Sequence, residues 1–146
     1  MGAEKILVTG ATGFLGSELV RQLLAQGQSV RVLARKSATF DLLNDVAGQF
    51  DVATGDVTDP LSVRDALKDI ETVYHAAAFV SFGGQKDAEK LREVNVQGTA
   101  NVVNSALDQQ IKRLVLTSSM AAFGRPTNQR EEITEDLLWM PSKLNT

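Results

Sequence analysis

A glycine-rich stretch, Thr9-Gly10-Ala11-Thr12-Gly13-Phe14-Leu15-Gly16, places the strongest constraint on the fold of this chain. It follows the apolar run Lys5-Ile6-Leu7-Val8, which predicts a buried strand, and it opens a helical pattern from about Phe14 to Gln26. Strand, glycine-rich turn and helix in this order form the place where the pyrophosphate of a dinucleotide binds. The alternative is a glycine-rich turn that holds no ligand.

The three glycines of this stretch have separate predicted roles. Gly10 allows the tight turn out of the strand, Gly13 lets phosphates approach the backbone, and Gly16 lets the helix pack close to the sheet. The unpaired N–H groups at the helix start point at the anion. The predicted cofactor contacts at this turn are therefore Gly10, Thr12, Gly13, Phe14, Leu15 and Gly16. A P-loop is disfavoured, because Phe14-Leu15-Gly16 stands where that motif needs Gly-Lys followed by Ser or Thr.

Length and composition restrict the classes of function. The 146 residues suffice for one domain with a core, and a net charge of −3 argues against nucleic acid or an anionic membrane as partner. The absence of cysteine excludes disulfides and thiolate metal sites, and it fits a cytoplasmic protein. The only histidine is His75, so no metal site is predicted. No apolar run approaches the ~18 residues of a membrane span.

Strand and helix patterns alternate along the chain, which predicts an α/β domain with a doubly wound parallel sheet, the Rossmann fold. The first helix carries apolar residues at a period of about 3.6 residues, namely Phe14, Leu15, Leu19, Val20, Leu23 and Leu24. The further predicted elements are strands at 29–34, 50–53, 72–76 and 112–117 and a long helix at 87–108. Right-handed crossovers then give the strand order 3-2-1-4-5.

The carboxyl ends of parallel strands meet at one edge of the sheet, and a ligand binds there beside the point where the strand order reverses. The residues near these predicted ends are Gly10, Ala34, Asp56, Ala77 and Ser118. Groups far apart in the sequence therefore converge on one crevice. The dinucleotide-binding domain is predicted to span residues 1–124, followed by an irregular tail at 125–146 and no second domain.

The end of the second strand predicts which cofactor binds. An NAD site usually carries an acidic residue there to hold the ribose 2′-hydroxyl, but Ala34 occupies that place. Arg35 and Lys36 follow it, and a guanidinium can bind a 2′-phosphate through two parallel hydrogen bonds. The pattern favours NADP over NAD. The alternative is two solvated charges at the start of a loop.

Two further strand ends carry candidate cofactor contacts. Asp56 is predicted to accept a hydrogen bond from the adenine amino group, with Val57 against the ring, although a turn or helix cap is an equally natural use of this aspartate. His75 lies among strand residues and is predicted to be a core group and not a catalytic base. The small residues after the fourth strand let a ribose or nicotinamide lie on the backbone, and they are Ala76, Ala77 and Ala78.

Hydroxyl side chains end the fifth strand, at Thr117, Ser118 and Ser119. They are predicted to face the nicotinamide end of the crevice, with Thr117 and Ser118 as cofactor contacts. The alternative is a strand-terminating turn of the kind that serine and threonine favour.

Five ordered segments of the chain resemble the N-terminal part of an extended short-chain dehydrogenase/reductase. This group includes NAD-dependent epimerase/dehydratase proteins and dihydroflavonol-reductase-like enzymes. The matching segments, over residues 4 to about 124, are Thr9-Gly10-Ala11-Thr12-Gly13-Phe14-Leu15-Gly16, Gly55-Asp56-Val57-Thr58-Asp59, Val73-Tyr74-His75-Ala76-Ala77-Ala78, Asn95-Val96-Gln97-Gly98-Thr99 and Leu116-Thr117-Ser118-Ser119. Arg35 resembles the arginine of the NADP-using reductase branch.

The resemblance implies roles for two residues. Ser119 would be the active-site serine that hydrogen-bonds the substrate carbonyl or hydroxyl, and Asn95 would support the site from the long helix. Family members then carry a Tyr-x-x-x-Lys pair, whose tyrosine exchanges the proton that hydride transfer requires. Here the only tyrosine is Tyr74, inside the fourth strand, and Trp139 stands four residues before Lys143. An indole cannot exchange a proton as a phenol does.

Together these features predict an NADP(H)-binding domain that resembles the cofactor half of a carbonyl reductase or a sugar-nucleotide epimerase/dehydratase and is inactive by itself. One alternative is a non-catalytic sensor or interaction module that reads NADP. Another is an enzyme completed by a second chain. The expected partners are a nicotinamide dinucleotide and a second copy of the chain, bound through the exposed edge of the fifth strand. The alternative at this edge is a segment of the chain's own tail, residues 125–146, laid over it.

Overall fold

Alternating strands and helices form the first of two compact units, Met1–Leu116, and the second unit is Thr117–Thr146. A computed structural model describes residues 3–81, 84–119, 122 and 134. The tail predicted at 125–146, with Trp139 and Lys143, lies outside the described residues apart from residue 134. In the described part of the chain, no helix is long and apolar enough to cross a membrane, and no acidic or histidine cluster could hold a metal ion.

Five parallel strands build the sheet of the first unit, in the predicted order β3-β2-β1-β4-β5. They are β1 (Lys5–Thr9), β2 (Ser29–Ala34), β3 (Asp51–Thr54), β4 (Thr72–His75) and β5 (Arg113–Leu116), each within one residue of its predicted bounds. In the register of the central strands, Thr9 of β1 lies beside Leu33 of β2 and His75 of β4. The prediction of a doubly wound parallel sheet in this order is confirmed.

Helices follow the strands as the patterns predict. They are α1 (Phe14–Ala25), α2 (Pro60–Ala66), α3 (Ala88–Leu91) and α4 (Thr99–Asp108), with 3₁₀ segments at Asp41–Val46 and Gly84–Asp87. The helix predicted at 87–108 is not uniform, because a π-helical segment, Arg92–Gly98, joins α3 to α4. At the start of α2, Asp59 Oδ1 accepts a hydrogen bond from the N–H of Leu61 at 3.0 Å, which caps the helix.

Each face of the sheet has its own apolar core, because successive side chains of a strand point to opposite faces. On one face, Leu7 of β1 packs with Val63 of α2 and Val102 of α4. On the other, Ile6 and Val8 of β1 pack in a second cluster with residues of α1. The sheet is therefore fixed between helices, and its carboxyl edge is held in place for the site.

The predicted apolar face of α1 is wrong at its first turn. Val20 is buried, but the side chains of Phe14 and Leu15 are 91% and 53% exposed. Residues four apart share one stripe of a helix, and Phe14 lies on the stripe of Glu18, which is exposed. The hydrophobic pattern therefore begins one turn later than the sequence suggests.

Candidate functional site

The glycine turn between β1 and α1 forms the floor of the site. Gly10 has a φ of +72°, and a Cβ at this position would lie 2.6 Å from the backbone of Ala76 and Ala77. The N–H of Gly13 donates to the carbonyl oxygen of Gly10 at 3.0 Å, which closes the turn. A Cβ at Gly16 would overlap that same carbonyl oxygen, so the start of α1 packs directly against the turn.

The N-terminus of α1 opens beside this turn. Gly13 is its N-cap, and in the described part of the chain no side chain caps the helix and no acidic residue lies in its first turn. The N–H groups of a first helical turn have no partner within the helix, and together they attract an anion. Phe14 and Leu15 therefore contribute backbone N–H groups here, while their side chains point to solvent.

A cavity of about 250 Å³ runs from the glycine turn along the carboxyl ends of the strands. The predicted cofactor contacts that line it are Gly10, Thr12, Gly13, Arg35, Asp56, Val57, Ala76, Ala77 and Ala78. The lining residues that were not predicted as contacts are Leu33, Ala34, Ala38, Gly55, Phe79, Lys90 and Val94. One continuous space is therefore lined by four of the five residues expected to converge, namely Gly10, Ala34, Asp56 and Ala77. The fifth, Ser118, belongs to the second unit.

Arg35 belongs both to this cavity and to a neighbouring, more open one. The second cavity is also lined by Lys36, Ser37, Asp56 and Asp59. Among the described residues, neither Arg35 nor Lys36 makes an ion pair with an acidic side chain. Both cations therefore remain available to an anionic group of a ligand.

Asp56 serves the fold and the cavity at once. Its Oδ1 accepts hydrogen bonds from the N–H and the hydroxyl of Thr58, both at 3.0 Å, so the turn-capping alternative describes this oxygen. The other carboxylate oxygen, Oδ2, makes no hydrogen bond within the described part of the chain. The adenine contact and the cap therefore do not exclude each other, and the adenine contact stays a prediction.

A buried histidine supports the wall formed by Ala76–Ala78. The ring of His75 is 1% exposed, with Nδ1 hydrogen-bonded to Thr9 Oγ1 at 2.6 Å and Nε2 to Thr99 Oγ1 at 3.1 Å. Thr9 Oγ1 also accepts a hydrogen bond from the N–H of Ala77 at 3.2 Å. Burial lowers the pKa of His75 below its ordinary value. These contacts confirm the expectation of a core histidine.

Two asparagines on the helix that follows β4 form hydrogen bonds with the backbone of residues that line the cavity. Asn95 Oδ1 accepts from the N–H of Phe79 at 2.7 Å, and its Nδ2 donates to the carbonyl of Phe79 at 2.8 Å. Asn101 is buried, and its Nδ2 donates to the carbonyl oxygen of Val57 at 3.0 Å. Asn95 therefore supports the cavity indirectly, because its amide hydrogen-bonds the backbone of Phe79, which lines it.

Some predicted site residues are not among those that line the cavity of the first unit. Gly16 is buried behind the turn, and Asn95 contacts the cavity only through Phe79. Thr117, Ser118 and Ser119 are exposed and belong to the second unit, where the carbonyl oxygen of Ser119 accepts a hydrogen bond from the N–H of Ala122. Their roles at a nicotinamide and a substrate stay predictions.

Three supporting residues carried little signal in the sequence. Asn101 was detectable as an amide beside Val102 in an apolar helical pattern. Phe79 lies in a stretch that reads as a loop, and Lys90 reads as an ordinary solvated charge on a helix. Their positions near the cavity depend on how the helix packs against the sheet, and a local sequence pattern does not predict that packing.

A five-stranded parallel sheet, with a glycine turn and a cavity at the point where the strand order reverses, defines a nucleotide-binding domain of the Rossmann type. Residues 6–143 match the NAD dependent epimerase/dehydratase family. The chain belongs to this family, which confirms the resemblance drawn from the five sequence segments.

Individual relatives agree with this assignment. The chain is 45% identical over 118 residues to a sterol demethylase protein B of Methylococcus capsulatus, covering 81% of the chain and 35% of that protein. It is 41% identical over 122 residues to a putative dihydroflavonol 4-reductase of Synechocystis sp., covering 84% of the chain and 34% of that protein. The chain thus spans about a third of the length of these relatives.

Among solved structures, the enzyme WbmG of Bordetella bronchiseptica, in complex with NAD and UDP, has a similar fold. The TM-score is 0.79 at 29% identity, and the match covers 99% of this chain and 46% of that one. NAD(P) binding is therefore the expectation for a chain of this family and fold.

Proposed function

We propose that the chain is an NADP(H)-binding domain and forms the cofactor half of an NAD(P)-dependent carbonyl reductase or sugar-nucleotide epimerase/dehydratase. One observation carries the proposal: a single cavity joins the glycine turn, Arg35, Asp56 and the small residues after β4. In that order these groups suit the pyrophosphate, the 2′-phosphate, the adenine and a ribose of one extended ligand. The bound nicotinamide would supply hydride transfer to or from a carbonyl carbon.

The residues present fit such a ligand by shape and by charge. The backbone atoms around Gly10 and Gly16 leave no room for a Cβ, so only glycine gives this shape of turn. The first turn of α1 offers N–H groups to an anion, and Arg35 and Lys36 add positive charge on the β2 side. WbmG, with 29% identity to this chain, carries NAD in its own structure, which supports the class of ligand.

The preference for NADPH over NADH rests on Arg35 and on the absence of an acidic residue at Ala34. A guanidinium–phosphate hydrogen bond contributes on the order of 1.5–3 kcal/mol, which is roughly a ten- to hundredfold difference in affinity. The experiment is calorimetric titration of the purified chain with NADPH and with NADH. We expect NADPH to bind at least about tenfold more tightly, and Arg35→Asp to narrow or reverse that ratio.

A matched control separates the contact from general charge. Arg64 is an exposed arginine on α2 that lines neither cavity, so Arg64→Asp makes the same change of charge away from the site. This variant should keep the ratio of the unmodified chain. Equal affinity for the two cofactors in the unmodified chain would contradict the NADP preference, and no binding of either would contradict the proposed function.

The same chain is proposed to bind its cofactor without turnover. Turnover needs a proton donor beside the substrate oxygen, but Tyr74 packs against an apolar core cluster and His75 is buried in the sheet. A serine hydroxyl such as that of Ser119 is a poor proton source near neutral pH, and loss of one acid/base group typically costs about 10²–10⁴-fold in rate. The assay is NADPH oxidation with aldehydes, ketones and sugar nucleotides. Steady-state turnover that Ser119→Ala abolishes would refute this part of the proposal.

The edge of β5 is the proposed contact between two copies of the chain. Within the described residues β5 pairs only with β4, and Val115 and Leu116 are exposed. An unpaired strand edge presents N–H and C=O groups that can pair with another chain. Two such edges would satisfy each other across a two-fold axis.

A further inference from the structure

Lys90 lines the cavity beside Phe79, and it has no part in the contacts proposed above. Its Nζ is 4.7 Å from the centroid of the Phe79 ring, a cation–π contact, and both residues line the cavity. Lys90 belongs to α3, one helical turn before Val94, which lines the same wall. The ammonium group is therefore held at the cavity by a ring and by a helix.

The backbone that carries the Phe79 ring is itself held by hydrogen bonds. Asn95 bonds both the N–H and the C=O of Phe79, at 2.7 and 2.8 Å, so the backbone beneath the ring cannot turn without breaking both bonds. Lys90 also makes no ion pair with any described acidic residue, whereas the exposed Lys68 and Lys112 bond Asp65 and Glu71. A positioned lysine without an acidic partner is available to an external anion.

The strand order decides which part of the ligand Lys90 can reach. The glycine turn follows β1, which lies between β2 and β4 in the sheet. Arg35 follows β2, while Phe79, whose ring contacts Lys90, follows β4, so the two cations reach the cavity from strands on opposite sides of β1. Gly10 also abuts Ala76 and Ala77, which puts the turn next to the β4 wall. The end of β4, where Phe79 contacts Lys90, therefore adjoins the turn proposed to bind the pyrophosphate, and β1 separates it from the end of β2 and Arg35.

We infer that Lys90 is a phosphate-binding residue of this site and neutralises the pyrophosphate of the dinucleotide, not its 2′-phosphate. A lysine ammonium is a compact point charge suited to phosphate oxygens, and the Phe79 ring holds it near the turn when no anion is bound. The inference rests on the proposed function, because it assigns a residue to the same ligand. The two cations then differ in role, since Arg35 discriminates between NADPH and NADH while Lys90 strengthens the binding of both.

The test is calorimetric titration of the full chain with NADH, NADPH and ADP-ribose, which all carry a pyrophosphate, and with 2′-AMP, which carries a 2′-phosphate alone. Lys90→Met removes the charge and keeps an apolar side chain, and Lys90→Arg keeps the charge. We expect Lys90→Met to weaken the three pyrophosphate ligands about three- to tenfold and equally. It should leave 2′-AMP unchanged, and Lys90→Arg should restore most of the affinity.

The controls keep the outcomes distinct. Lys86→Met removes an exposed lysine four residues earlier that does not line the cavity, and it should change none of the four affinities. Loss confined to NADPH and 2′-AMP would overturn the pyrophosphate assignment, as would unchanged binding of all ligands by Lys90→Met. If the unmodified chain binds no dinucleotide, the proposed function itself fails, and that result is visible before any Lys90 variant is compared.

Discussion

Replacing Gly10 by alanine should destabilise the domain by more than backbone strain alone explains. Gly10 has a φ of +72°, a conformation that L-residues rarely adopt. A Cβ at this position would also stand 2.6 Å from backbone atoms of Ala76 and Ala77. Backbone cannot move aside as a side chain can, so the glycine turn and the end of β4 would have to separate.

A second glycine of the same chain provides the matched control. Gly27 has a φ of +75°, but no atom lies within 4 Å of the place its Cβ would occupy. Gly27→Ala therefore incurs only the left-handed backbone cost, about 1–2 kcal/mol. Gly10→Ala incurs the same cost plus an overpacking cost of about 1–3 kcal/mol, a total of about 2–5 kcal/mol. Any effect of alanine on the unfolded chain cancels between the two variants.

The assay is urea unfolding of both variants and the unmodified chain, followed by far-ultraviolet circular dichroism. The difference between the two free energies of unfolding isolates the contact between the turn and β4, provided that the denaturant slopes agree. We expect Gly10→Ala to lose at least about 1 kcal/mol more than Gly27→Ala. Equal losses would show that the turn and β4 are not in the close contact described, and the floor of the site would have to be redrawn.

Three further predictions concern stability and assembly. Burial lowers the pKa of the only histidine, His75, so the folded chain binds a proton there less readily than the unfolded chain. The free energy of unfolding should therefore fall as the pH drops below about 6.5. Urea midpoints measured between pH 7.5 and 5.5 should show this fall, and His75→Gln should reduce it. Asn95→Ala should lower the free energy of unfolding by about 1–3 kcal/mol, because both backbone groups of Phe79 lose their partner. Asn95→Asp can still accept from the N–H of Phe79, so in urea unfolding its stability should lie between those of Asn95→Ala and the unmodified chain. Sedimentation equilibrium should show a concentration-dependent dimer, and a monomer at all concentrations would contradict pairing through β5.

The sheet could be read from the sequence because two independent signals agree. Alternating strand and helix patterns give a parallel sheet, and the glycine turn marks the strand at its centre. The errors arise where a local pattern is ambiguous. Phe14 and Leu15 continue the apolar period of α1 but lie before the helix reaches the sheet, so they are exposed. The π-helical segment at Arg92–Gly98 was invisible, because over so few residues its period cannot be told from that of an α-helix.

The residues of the site likewise include some that the sequence could predict and some that it could not. Residues at the ends of parallel strands could be predicted to meet, since topology alone brings those ends to one edge. Phe79, Lys90 and Asn101 could not, because their positions follow from the docking of one helix across two strand ends. Asp56 shows the limit of residue type as evidence: one of its oxygens caps a turn while the carboxylate still lines the cavity.

The two asparagines on the helix after β4 make that helix a spacer between the cavity walls. Asn95 hydrogen-bonds the backbone after β4, and Asn101 hydrogen-bonds the carbonyl of Val57 after β3. One helix therefore sets the distance between these two loops. The cavity cannot widen between these loops unless the helix bends or one of the two asparagine hydrogen bonds breaks. The π-helical segment overlaps this span, and one residue more or fewer there would rotate one amide by about 100° relative to the other. The width of the cavity is thus encoded in a residue count along a helix that itself contributes only Lys90 and Val94 to the lining.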